Sequence, residues 1–110
     1  MDRPHPRFAV GGRLGCHLEP HNISLLLLNV SRNGFLVRSP MASRVDDVYR
    51  FRFVIEGPRD AIFVLSARVV HCAKTAVDGV TAYLTGLEFI DTSNPVCQRA
   101  IEHLVGVVTN

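Results

Sequence analysis

Apolar and polar positions alternate along most of the chain in short stretches separated by turn-forming residues, which predicts strands. The clearest stretch is Val48-Tyr49-Arg50-Phe51-Arg52-Phe53-Val54-Ile55, with Tyr49, Phe51 and Phe53 on one face and Arg50 and Arg52 on the other. Phe8–Leu18 alternates more loosely, with Gly11-Gly12 as a bend or bulge, and Glu19-Pro20-His21-Asn22 reads as a turn. Ile23–Val30 is dense enough in apolar residues to be buried on both sides over part of its length. Ser31–Gly34 is a turn, and Phe35–Ser39 a short strand ended by Pro40. Beyond a hairpin loop at Glu56-Gly57-Pro58-Arg59-Asp60, Ile62–Cys72 and Ala82–Ile90 read as two more strands joined through Val77-Asp78-Gly79. Six strands at intervals of roughly a dozen residues predict an all-β fold, an antiparallel barrel or sandwich.

The period changes at the end of the chain. Cys97, Ala100, Ile101, Leu104 and Val108 recur at helical spacing, while Gln98, Arg99, Glu102 and His103 face away. With Ser93 or Asn94 as cap and Pro95 in the first turn, this predicts a C-terminal helix over about 95–108 that plugs or flanks the barrel. Residues 1–7 have no apolar periodicity, and Pro4 and Pro6 bias Arg3 and His5 toward extended conformations. They are expected to form a flexible N-terminal arm ahead of a single domain over 8–110.

Composition narrows the class. Of 110 residues, 47% are hydrophobic and 20% charged, a balance that excludes a disordered tail. No apolar run approaches the ~20 residues of a spanning helix, and the N-terminus lacks the apolar region of a signal peptide. Cys16, Cys72 and Cys97 form neither a disulfide framework nor a zinc spacing, so a reduced, cytoplasmic setting is expected. The net charge of +2 hides a skew, because eleven of the 12 cations are Arg and only Lys74 is Lys. Residues 1–44 hold six Arg against Asp2 and Glu19, a net +4, while residues 45–110 hold six cations against eight acids, a net −2. Arginine pairs bidentately with phosphate and stacks on rings, so its concentration in the first half points to a phosphate or nucleotide ligand as well as to codon bias.

Catalytic constellations are absent from the sequence. His71-Cys72 and Cys16-His17 are adjacent pairs on strands and so point to opposite faces. Asp46-Asp47 reads as a solvated turn, and His5, His17, His21, His71 and His103 share no metal spacing. Neither an enzyme nor a metal or cofactor site is expected. Two other patterns carry chemistry. Arg3-Pro4-His5-Pro6-Arg7 is an RxxxR, and Asn29-Val30-Ser31-Arg32-Asn33-Gly34 is an [D/N]xSxxG at a strand–turn–strand junction. The second offers Asn29 and Ser31 on one side of a strand end, with Gly34 allowing positive φ or a close backbone approach. Asn both donates and accepts, which suits a purine edge, and the two Arg suit phosphates and base faces. Each pattern alone also fits a bland origin, an Arg-rich composition or an Asx- or ST-type turn.

With these motifs in this order, the chain resembles the PilZ domain family, the bacterial receptor module for cyclic di-GMP. The resemblance covers essentially the whole chain, through Phe35-Leu-Val-Arg-Ser-Pro40, Ala67-Arg-Val-Val-His71 and Tyr83-Leu-Thr-Gly-Leu-Glu-Phe-Ile-Asp91, with its GxxF at Gly86 and Phe89. It implies a six-stranded antiparallel Greek-key β-barrel with a C-terminal helix. It also implies that Arg3 and Arg7 hold the phosphates and a guanine, that Asn29 and Ser31 contact guanine edges, and that Gly34 shapes the turn. Asn29 stands where the family often has Asp. The implied mechanism is an arm ordered by the nucleotide, with the altered surface meeting a partner protein, for instance in motility or surface-polymer control. Two other readings compete. One is a PilZ-like adaptor that works by protein contact without nucleotide. The other is a barrel for single-stranded nucleic acid, which wants aromatic platforms that the alternation instead buries, so no DNA or RNA partner is expected.

Overall fold

The computed structural model describes residues 8–9, 14–56 and 61–109. The expected arm, the Gly11-Gly12 bend and most of the Glu56–Asp60 loop lie outside these residues. The elements are β1 (Phe8–Ala9), β2 (Leu14–Leu18), β3 (Ile23–Val30), β4 (Gly34–Ser39), β5 (Val48–Ile55), β6 (Ala61–Val77), β7 (Val80–Phe89) and α1 (Pro95–Thr109). All pairings are antiparallel. Strands β2, β5, β6, β7, β4 and β3 close a six-stranded barrel, and β1 joins β3 on the edge that β2 also uses. The link from β4 to β5 joins strands that are not neighbours, the Greek-key crossover.

Alternation puts one side of each strand inside. Phe35, fully buried, meets Phe51 and Phe53 edge-on at ring separations of 5.1 Å and lies 5.2 Å from Phe89. Such aromatic pairs add about 0.5–1.5 kcal/mol each beyond the area they bury. Leu27, Val30, Val37, Val69 and Leu87 complete the barrel interior. Asn94 proves to be the helix cap, its Oδ1 accepting from the N–H groups of Val96 at 2.9 Å and Cys97 at 3.4 Å. Ala100, Ile101, Leu104 and Val105 of α1 are buried in the same core. The helix therefore flanks the barrel with the face that sequence reading assigned to it.

Two details differ from the sequence expectations. The β6–β7 hairpin is longer than expected, running from Ala61 to Phe89, because Asp78-Gly79 makes a two-residue turn with both φ values positive, at 53° and 78°. A turn of this kind matches the strand twist and holds pairing up to Val77↔Val80, past polar positions where the apolar alternation fades. Finally, β3 is not buried on both sides: Leu26 is 47% exposed.

Two β-bulges organise the outer face. One residue is inserted in β3 between Leu27 and Asn29, and one in β6 between Val69 and His71. Without the first, Asn29 would follow Leu25 and Leu27 inward; with it, Asn29 pairs with outward Leu36 and Val30 with inward Phe35. The second bulge likewise turns His71 outward, opposite Gly86, and sends Cys72 to the side of buried Thr85.

Candidate functional site

The Asn29–Gly34 motif forms the end of the β3–β4 hairpin, and local hydrogen bonding explains its residues. The Ser31 N–H donates to the Gly34 carbonyl at 2.8 Å, and Ser31 Oγ accepts from the N–H groups of Asn33 and Gly34, both at 3.2 Å. This is an ST-type turn in which the side chain satisfies backbone donors that the reversal leaves unpaired. Ser31 is 1% exposed, so its hydroxyl faces the turn rather than standing beside Asn29 on one side of the strand. Replacing it by alanine strands the N–H groups of Asn33 and Gly34, the second of them buried. Ser31→Ala is expected to lower stability by about 1–3 kcal/mol, read as a lower urea midpoint at unchanged slope.

Gly34 is required by close approach. A Cβ there would lie 1.9 Å from the Leu87 carbonyl oxygen on β7, against which Gly34 is registered through Glu88. Arg32 and Asn33 are exposed at the tip, and the Asn33 carbonyl accepts from the Phe89 N–H at 2.9 Å. The turn is thus fixed to the end of β7 from below while its tip faces solvent.

Asn29 lies half-buried on the outer face, between β4 and β1. The pairs Phe8↔Val30 and Ala9↔Asn29 bring the start of β1 to the beginning of the motif. Arg3 and Arg7 lie outside the described residues. In sequence, however, Arg7 immediately precedes Phe8, so the RxxxR segment leads directly into the strand registered against Asn29 and Val30.

Charges near the turn are already partly committed. Arg68, across from Glu88 on β6, donates to Glu88 at 3.0 Å and to Asp46 at 2.8 Å. The hydrogen bond to Glu88, then that to Asp46, raises its pKa and keeps it cationic. Two of the cysteines are poor nucleophiles: burial pushes the Cys16 thiol up to about 12, and burial together with Asp91 raises that of Cys97. Among the described residues no three His, Cys, Asp or Glu gather as metal ligands, and no helix is long and apolar enough to cross a membrane. The hollow lined by Glu19, Pro20, Val48, Tyr49, Arg50 and Val64 lies on the β2–β5–β6 side and includes none of the motif residues.

The family model for the PilZ domain matches residues 1–106. No curated protein matches the sequence. Among solved structures, the chain is similar to the PilZ domain of YcgR from Escherichia coli with c-di-GMP, at 13% identity and a TM-score of 0.72, covering 99% of this chain and 92% of that one. It is also similar to the K. pneumonia MrkH–c-di-GMP complex, at 14% identity and a TM-score of 0.72, covering 96% of this chain and 51% of that one. A third likeness is to the Bacillus subtilis inhibitor of motility MotI, at 17% identity and a TM-score of 0.68, covering 92% and 48%. At these identities the structures share the fold, and MrkH and MotI are about twice the length of the matched region.

Proposed function

Since the chain belongs to the PilZ domain family, we propose that it is a non-catalytic receptor for cyclic di-GMP whose liganded face is met by a partner protein. The observation that carries this reading is the register of β1 on β3, Phe8↔Val30 and Ala9↔Asn29. It sets the strand that directly follows the RxxxR segment against the start of the second motif, although the two motifs are about twenty residues apart in sequence. Arg3 and Arg7 supply cation and planar donors for phosphates and a guanine. Asn29, turned outward by its bulge, supplies a donor and an acceptor for a guanine edge. Ser31 and Gly34 serve the site by holding the turn in shape. Solved structures of similar fold that hold c-di-GMP support the choice of ligand.

Isothermal titration with cyclic di-GMP tests the reading. The protein is expected to bind, and Asn29→Ala to weaken binding by about tenfold, the loss of about one net hydrogen bond. Absence of heat at micromolar protein overturns the reading and leaves the adaptor alternative. An adaptor docking through the apolar side of the helix is not favoured, because the fold buries that side at Ala100, Ile101, Leu104 and Val105. The nucleic-acid alternative gains nothing either, because among the described residues every Phe with a described side chain and both Tyr are buried or half-buried.

A further inference from the structure

Strand β6 begins well before its first pair with β7, Ala67↔Phe89. The Ile90 N–H donates to the Ser66 carbonyl at 3.2 Å and carries that ladder one bond further. Asp91 then takes a positive φ of 58°, which turns the chain off the sheet toward the Asn94 cap of α1. Among the described residues, Ala61–Leu65 therefore pair with β5 on one side and with no strand on the other.

Parity says which groups this leaves open. In an antiparallel ladder, successive residues of one strand aim their N–H and C=O groups at opposite neighbours. Val69 exchanges its bonds with Asp46 and Asp47, just ahead of β5, whereas Ser66 bonds to Ile90 on the other side. Ile62 and Val64 share the parity of Ser66, so their backbone groups aim away from β5. They open into a hollow of about 330 Å³ that also takes in Val96, Cys97 and Ala100 of α1. The side chains of Ile62, Val64 and Val96 are exposed.

A second open stretch of β6 shows the contrast. Val70–Val77 lies past the end of β5, starts at the bulge and carries Lys74, the only lysine of the chain. A bulge and a lysine both discourage a further strand from pairing. The edge at Ile62 and Val64 has neither. The one charged residue lining the hollow is Asp91, whose exposed carboxylate forms no ion pair among the described residues.

We infer that this edge is a docking site for an extended, basic and apolar segment of a partner protein, which adds a strand to β6 beside α1. Open backbone groups require an extended main chain. Ile62, Val64 and Val96 require apolar side chains at alternate positions, and the Asp91 carboxylate requires a lysine or arginine. A second folded copy suits the edge less, because a strand within a sheet brings its neighbours along and α1 stands where they would lie. The hollow includes no residue of the Asn29–Gly34 turn, and the inference goes beyond nucleotide binding without resting on it.

A phage-displayed library of random linear peptides, selected on the full chain, is the probe. Enriched sequences are expected to place valine or isoleucine at alternate positions and to include a lysine or arginine. A synthetic peptide of the enriched sequence should slow amide hydrogen exchange at Ile62 and Val64, the signature of an added strand. Val64→Pro removes the donor that faces the hollow and no bond within the barrel, a placement proline tolerates at an open edge. It should weaken the peptide about tenfold, the loss of one net hydrogen bond. Asp91→Asn keeps a residue that accepts positive φ and removes the charge, for a loss of up to about fivefold that vanishes in high salt. Val96→Ser alters the exposed start of the helix, leaves the barrel intact and should weaken the peptide about threefold or more.

No enrichment over the bare support, or exchange protection that falls elsewhere, overturns the site. A peptide that binds Val96→Ser and folded Val64→Pro as tightly as the parent overturns strand addition. A dimer in sedimentation that Val96→Ser splits assigns the edge to a second copy and overturns the partner segment. None of these measurements contains nucleotide, so their failure leaves the receptor reading standing, and absence of cyclic di-GMP binding leaves the docking edge standing.

Discussion

Replacing Arg3 and Arg7 together by alanine is expected to lower affinity for cyclic di-GMP by about 10²–10⁴-fold while leaving the melting temperature within a degree or two. A hydrogen bond to a charged group contributes about 1.5–3 kcal/mol, and two such residues acting on one anionic ligand bring the loss to about 3–6 kcal/mol. The fold should be indifferent, because both residues precede β1 and, among the described residues, the core is assembled from positions within β2 to α1. Lysine at both positions separates charge from geometry. It keeps the cations but not the planar fork, so it should recover the salt-dependent part of binding and only a minority of the lost affinity. Titration calorimetry at two salt concentrations reads both effects. Unchanged affinity in the double-alanine variant would remove the arm from the site.

The largest effect on stability is expected at Gly34. In Gly34→Ala the new methyl would lie 1.9 Å from the Leu87 carbonyl oxygen, 2.9 Å from its carbon and 3.1 Å from Glu88 Cα. All three obstacles are backbone, so relief requires β4 and β7 to separate where they close the barrel. The cost should reach or exceed about 3 kcal/mol, the upper end of overpacking penalties. Urea denaturation followed by circular dichroism measures it. Gly106 in α1, where an added Cβ meets nothing within 4 Å, is the control: Gly106→Ala should fold normally and gain up to about 1 kcal/mol of helix propensity. Equal behaviour of the two variants would contradict the close approach at Gly34.

The architecture was legible because its signals are periodic. The alternation through Val48–Ile55 places Phe51, Phe53 and Ile55 inside, as it predicts, and Asn94-Pro95 marks the helix start. Motif chemistry was legible in part. Gly34 was expected to allow either positive φ or close approach, and the structure selects close approach. The position of Ser31 could not be foreseen from spacing alone. Its hydroxyl turns inward because unpaired N–H groups at Asn33 and Gly34 need an acceptor, a demand that exists only once the hairpin closes. The outward placement of His71 was missed for a related reason. Weighed as a metal ligand or as a partner to Cys72, it has no motif, and its bulge leaves no mark in hydrophobic periodicity beyond one extra residue.

Those extra residues at Leu28 and Val70 also bear on how this chain is compared with distant kin. A strand has a period of two, so one inserted residue exchanges the roles of every position beyond it. Where a relative lacks either insertion, an ungapped alignment will set its core residues against this chain's surface residues for the remainder of that strand. At identities of 13–17% nothing in the letters corrects the slip. Columns matched in space, with a gap at position 28 or 70, are therefore the ones in which Asn29 and His71 can be compared with their counterparts.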